Sequence, residues 1–128
     1  MKIYYLALVV SFLFVTCSVK KDEPVMCTEE FRTVSVKFKD SSGNNILVEN
    51  YKAVIKSSGL QLHSDSDKQE NNYIVATDAD NEKLSKVGDT ILVTANHPVT
   101  KALISENYVI KGGVCHIEKV SGPDELSF

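Results

Sequence analysis

The sequence predicts an all-β domain, a sandwich of about seven strands. Short segments alternate apolar and polar side chains, which is the period of a strand with one buried face. Residues that favour turns separate these segments at intervals of roughly 8–12 residues, as is typical of sandwiches. No segment of the 128 residues follows the 3.6-residue period of a long helix, so no helical layer is expected.

The first strand is predicted at Phe31–Lys39, where Val34, Val36 and Phe38 alternate with polar residues. Thr90–Ala95 is the most apolar strand candidate and is expected in the middle of a sheet. The other predicted strands, in chain order, are Ile46–Val48, Tyr51–Ile55, Leu60–Leu62, Tyr73–Thr77, Val114–Lys119 and, at a sheet edge, Leu126–Phe128.

Two segments leave the type of element open. Leu84–Val87 suits either one helical turn or a bridging strand, and Ala102–Ile110 combines a helical beginning with a strand-like end. The polar segments Ser64–Asn72, Asp78–Glu82 and Asn96–Lys101 predict loops. These three loops are the expected contact surfaces for a partner or an external ligand.

The first residues predict a secretion signal that ends in a lipid anchor. Lys2 precedes the apolar run Ile3–Phe14, which is shorter than the about 20 residues of a membrane span and fits a signal peptide. The residues before Cys17 resemble a lipobox, so residues 1–16 are expected to be removed and Cys17 to be lipidated. The alternative is an ordinary signal peptide cut nearby, with Cys17 incidental.

The mature chain is expected to consist of a tether over residues 17–26 and one β domain over residues 27–128. The full chain has 14 basic and 17 acidic residues; removal of Lys2 with the signal leaves 13 and 17, a net charge of −4. The basic residues are scattered along the sequence. Nucleic-acid binding requires clustered positive charge, so no nucleic-acid partner is expected.

The three cysteines predict one disulfide. With Cys17 assigned to the lipid, Cys27 and Cys115 remain as an even pair in an oxidising compartment. The expected bridge joins the start of the domain to its penultimate strand across the core. Two buried free thiols are the alternative.

No residue pattern in the sequence predicts catalysis. The sequence contains neither the Gly-Xaa-Ser-Xaa-Gly elbow of a hydrolase nor a phosphate-binding glycine loop. His63, His97 and His116 lie far apart in the sequence and are expected at the surface, so no metal and no cofactor is predicted.

Carboxylates in the polar loops are the remaining candidates for binding. The run that starts at Asp78 resembles the opening of a calcium loop, but Lys83 and Asp89 occupy the sixth and twelfth positions, where the EF-hand requires Gly and Glu. Loop carboxylates can still bind calcium at the end of a sandwich. The candidate binding residues are Asp65, Asp67, Asp78, Asp80 and Glu82.

Several blocks together resemble a known family. Cys27 opens the domain, Val34–Gly43 and Gly88–Val93 follow, and Cys115–Pro123 stands near the end. The combination is similar to small Bacteroidetes lipoproteins with a carboxypeptidase-regulatory-like or transthyretin-like domain, over most of residues 27–128. The resemblance implies a transthyretin-like or immunoglobulin-like β-sandwich, a disulfide, and a domain class that is not catalytic.

The resemblance also implies a compartment, the cell envelope, but attaches no activity to the domain. Lys21-Asp22-Glu23 resembles the export signals of surface lipoproteins, so we expect an outer membrane lipoprotein at the cell surface rather than on the periplasmic face; a charged tether is the alternative. The expected function is a lipid-anchored binding or structural module of the cell envelope, non-catalytic, whose partner is an envelope protein or an external ligand. The alternative is a small extracytoplasmic hydrolase or ligand-processing enzyme.

Overall fold

The computed structural model describes residues 23–128. The predicted signal peptide, Cys17 and most of the tether lie outside the described residues. Within them the chain forms two sheets, one of four strands and one of five. This arrangement confirms the predicted all-β sandwich.

Within residues 23–128, nine strands build the two sheets. β1 and β8 are shorter than the sequence predicts, and Ile46–Val48, predicted as a strand, forms none. The strands are β1 Thr33–Lys39, β2 Glu49–Ile55, β3 Gln61–Ser64, β4 Lys68–Gln69, β5 Asn72–Thr77, β6 Asp89–Asn96, β7 Leu103–Gly112, β8 Ile117–Ser121 and β9 Glu125–Ser127. One 3-10 helix, Asp78–Lys83, follows β5.

The four-stranded sheet has the order β4-β5-β1-β9, and the five-stranded sheet has the order β3-β2-β6-β7-β8. Strands β1 and β9 pair in parallel, and the other described pairs are antiparallel. β6 is the central strand of the larger sheet, as its apolar sequence predicts. β9 lies at a sheet edge, which the sequence also predicts.

The core lies between the sheets and is rich in aromatic side chains. Phe38 packs edge-on against Tyr51 and Tyr73, with ring centroids 6.0 and 5.3 Å apart. The buried hydroxyl of Tyr51 donates to the carbonyl of Ile74, and that of Tyr108 donates to the carbonyl of Pro123. Burial raises the pKa of both phenols, so they remain neutral donors.

Several local predictions differ from the structure. Ala102–Ile110, left open between helix and strand, lies mostly in β7 because it pairs with β6 along its length. Asp78–Glu82 belongs to the 3-10 helix and not to a loop, and Leu84–Val87 is neither helix nor strand. The predicted loop Ser64–Asn72 contains β4, which forms a short hairpin with β5.

Candidate functional site

The predicted disulfide is present between Cys27 and Cys115, whose Cα atoms are 5.3 Å apart. Its location differs from the expectation. Cys27 is exposed ahead of β1, and Cys115 lies in the bend before β8, not within a strand. The bridge therefore closes one end of the sandwich and does not cross the core. We refer to this region as the disulfide end.

A chain of three side chains lies beside the bridge at the disulfide end. Asp78 Oδ2 is 2.7 Å from His116 Nδ1, and His116 Nε2 is 3.0 Å from Thr28 Oγ1. Asp78 also accepts hydrogen bonds from the backbone N–H groups of Arg32 and Ile117, each at 2.8 Å. One carboxylate thus ties the beginnings of β1 and β8 to the end of β5.

The ionised form of Asp78 is favoured by these donors. Burial by itself raises the pKa of this carboxyl group. The hydrogen bonds from the backbone of Arg32, from His116 and from the backbone of Ile117 outweigh burial, so the pKa of Asp78 lies below its ordinary value. Asp78 is therefore a charged acceptor that holds His116 in place.

A second carboxylate–histidine pair lies between the sheets. Asp80 is only 2 % exposed. Its carboxylate contacts His63 Nε2 at 2.8 Å and Lys83 Nζ at 2.9 Å, and it accepts the backbone N–H of Thr77 at 2.9 Å. His63 also lies 3.5 Å from Asp67. This cluster joins β3 to the end of β5.

The two histidines in these pairs were expected at the surface, and the structure corrects that expectation. The side chains of His63 and His116 are 14 % and 13 % exposed, because each packs against a carboxylate from a distant segment. His97 stays in the turn after β6, where its Nδ1 accepts the backbone N–H groups of Val99 and Thr100.

The structure does not bring the five candidate binding carboxylates together. Asp78 and Asp80 belong to the two different histidine pairs just described. Asp65 accepts the backbone N–H of Tyr51 at 2.6 Å, and Asp67 accepts that of Ser64 at 3.0 Å. Glu82 is exposed on the 3-10 helix. Among residues 23–128, no group of three or more His, Cys, Asp or Glu side chains is arranged to hold a metal ion.

An open groove of about 690 Å³ lies between β1 and β8, close to the disulfide end. Its walls are Glu30–Ser35 from one sheet and Ile117–Lys119 from the other, with Asp124 at its far end. We call it the β1–β8 groove. It exists because β9 pairs with β1 only over Lys37–Lys39, so the first half of β1 has no neighbour on that side.

The backbone of β1 shows which groups face the groove. Both the N–H and the C=O of Arg32 bond Asp78 on the β5 side. The N–H of Lys37 donates to the carbonyl of Asp124 on the opposite side, at 3.0 Å. Because these directions alternate along a strand, Thr33 and Ser35 present their N–H and C=O groups to the groove. The sequence alone carries no signal for this free edge.

Comparison with known proteins found no matching family model, no matching curated protein and no matching solved structure. The similarity to lipoproteins with a carboxypeptidase-regulatory-like domain therefore stays an expectation from the sequence. Among the residues that the structure describes, no helix is long and apolar enough to cross a membrane.

Proposed function

We propose that this protein is a lipid-anchored module of the cell envelope that binds a partner and catalyses no reaction. The observation that supports binding is the β1–β8 groove, which is open and has an unpaired strand edge as one wall. Concave surfaces with convergent polar groups are common sites of recognition. The partner of this module is an envelope protein or an external ligand.

The carboxylates and histidines support a structural role better than a catalytic one. Asp78 bonds backbone N–H groups of two strands, and Asp80 bonds Lys83 and the backbone of Thr77. General acid–base catalysis needs a group within hydrogen-bond reach of a substrate. The acceptor atoms of these two carboxylates are instead engaged with the protein's own chain.

The lipid anchor would attach the domain at its disulfide end. Cys27 is held there by Cys115 and lies ten positions after Cys17 in the sequence. An extended chain of that length reaches at most about 35 Å, so the domain would stay close to the membrane.

We propose an outer membrane lipoprotein at the cell surface, where protease added to intact cells would digest the domain.

Replacing the anchor cysteine tests the lipid part of the proposal. Cys17→Ala is expected to release the protein from membranes, or to leave the precursor uncleaved, because the acylated side chain is lost. Ser18→Ala is the matched control and should fractionate like the unsubstituted protein. Cell fractionation with labelled palmitate measures both. A Cys17→Ala protein that remains mature and membrane-bound would contradict the anchor.

Capture from native membranes tests the binding part. The full-length protein is expected to retain a partner, and Ser35→Glu should reduce its recovery by about tenfold because it places a larger, charged side chain in the groove wall. Gln61→Glu adds the same side chain at the exposed start of β3, outside the groove, and should leave recovery unchanged. If the unsubstituted protein retains no partner, the proposed function is wrong.

A second candidate function, hydrolysis by Thr28, is favoured by one observation. Thr28, His116 and Asp78 follow the order of a nucleophile, a base and an orienting carboxylate, with contacts of 3.0 and 2.7 Å through the two ring nitrogens. Such chemistry also needs donors for the oxyanion. The backbone N–H groups of Arg32 and Ile117, which contact the carboxylate of this chain of three side chains, already bond Asp78, so binding is the better-supported function.

Ester hydrolysis separates the two candidates. We expect the protein and its Thr28→Val variant to hydrolyse an activated ester, such as p-nitrophenyl acetate, at the same background rate. Valine matches the shape of threonine and replaces its hydroxyl with a methyl group, so it is a suitable test of the nucleophile. A burst of product that depends on Thr28 would replace the binding function with hydrolysis.

A further inference from the structure

We propose that the β1–β8 groove binds an extended polypeptide segment of another protein, which adds as a strand to the free edge of β1. The inference rests on the proposed binding function and names its site and the class of partner. The added segment would occupy the position in the four-stranded sheet that β9 leaves empty beside the first half of β1.

The pairing of β1 defines the vacant position. β5 covers one side of Thr33–Val36, whereas β9 covers the other side only over Lys37–Lys39. β8 ends at Ser121 in the five-stranded sheet, and only Gly122–Asp124 connect it to β9 in the four-stranded sheet. The chain ahead of β9 therefore belongs to the other sheet and leaves the first half of β1 unpaired on this side.

The free groups at this edge specify the chemistry of the occupant. Thr33 and Ser35 each offer one N–H and one C=O, and residues two apart in a strand repeat at about 6.8 Å. The main chain of an extended polypeptide presents complementary groups at the same repeat. This match selects a peptide strand over a sugar or a lipid chain, neither of which has alternating donors and acceptors at this spacing.

Side chains of the groove indicate what else the segment should carry. Among residues 23–128, the guanidinium group of Arg32 makes no ion pair, whereas Lys119 pairs with Asp124 and Lys111 with Glu118. Phe31, next to Arg32, is 63 % exposed. An acidic side chain could pair with Arg32 and an apolar one could cover Phe31, so we expect a segment with one of each.

Substitution of Ser35 gives a matched test of strand addition. Ser35→Pro removes the N–H that faces the groove but no bond to β5, and proline is tolerated at such an edge. Ser35→Ala keeps that N–H. The probe is a set of blocked pentapeptides of alternating Thr and Val with one Asp at varied positions. We expect Ser35→Pro to weaken binding of the best peptide by about tenfold and Ser35→Ala to leave it unchanged.

Amide hydrogen exchange of the full-length protein supplies a second measurement that needs no variant. The amides of Thr33 and Ser35 should exchange rapidly in the free protein and at least about tenfold more slowly with the peptide bound. This readout decides the question if Ser35→Pro fails to fold, which thermal melting would reveal.

Three results would overturn the inference. One is the absence of protection at Thr33 and Ser35 with every peptide at millimolar concentration, and another is equal binding by the Ser35→Pro and Ser35→Ala proteins. The third is protection that appears with protein concentration alone, which would make a second copy the occupant. Each leaves the proposed binding function standing, because that function fails only if the full-length protein captures no partner from membranes.

Discussion

Replacing both Cys27 and Cys115 with serine is expected to lower the free energy of unfolding by about 4–5 kcal/mol. The bridge joins residues 88 positions apart, so it closes a long loop and removes much conformational freedom from the unfolded chain. Typical domains have an unfolding free energy of about 5–15 kcal/mol, so the double variant would be marginal.

The loss should begin at the disulfide end. Cys27 is exposed, and the chain before β1 is held there by the bridge and by the bonds of Thr28 and Arg32 to His116 and Asp78. Urea unfolding followed by circular dichroism measures the effect. Thr28→Ala is the control, since it changes a neighbour of Cys27 and keeps the bridge. A decrease below about 1 kcal/mol for the double variant would contradict a stabilising bridge.

Replacing Asp80 with alanine is expected to lower the free energy of unfolding by about 3–5 kcal/mol. The side chain is almost fully buried, and its removal leaves Nε2 of His63 and the backbone N–H of Thr77 without the carboxylate they contact. Glu82→Gln changes an exposed residue of the same 3-10 helix and should alter stability little. Denaturant unfolding at neutral pH compares the variants.

The contribution of Asp80 should also depend on pH in a defined direction. Burial raises the pKa of this carboxyl group, but hydrogen bonds from Lys83, Thr77 and His63 outweigh burial, so its pKa in the folded protein lies below the ordinary value. As the pH falls, Asp80 therefore becomes protonated at a higher pH in the unfolded chain than in the folded protein. The stabilisation is complete above the ordinary pKa of about 4 and is lost as the pH falls through the lower, folded value.

The Asp80→Asn variant isolates this effect. Its stability should differ from that of the unsubstituted protein most at neutral pH, and the difference should shrink as the pH falls below the ordinary carboxyl pKa of about 4. Unfolding free energies measured across this range provide the test. A difference that stays constant with pH would show that the charge of Asp80 contributes nothing.

The strands with one buried face could be predicted because their signal is local. In β1, Val36 and Phe38 are buried and alternate with side chains that remain partly exposed. Ala102–Ile110 could not be assigned in this way, since its residues suit a helix as well as a strand. The segment is a strand because it pairs with β6, and local residue preferences do not reveal this pairing.

The histidine pairs could not be predicted from the sequence. His116 is 38 positions from Asp78 and 88 positions from Thr28, and His63 is 17 positions from Asp80. No short motif links these residues. Their contacts arise because the fold brings the end of β5 close to the beginnings of β1 and β8 on one side and to β3 on the other.

The sequence by itself determined the all-β class, the central place of Thr90–Ala95, and the pairing of Cys27 with Cys115. The first two follow from the period and the apolar content of single segments. The third follows if Cys17 is assigned to the proposed lipid anchor, because Cys27 and Cys115 are then the two cysteines that remain. Only the tertiary structure decided where the bridge lies, which carboxylate holds each histidine, and how far β9 runs along β1. These features depend on contacts between segments distant in the chain, and the free edge at Thr33 and Ser35 exists only because one such contact stops at Lys37.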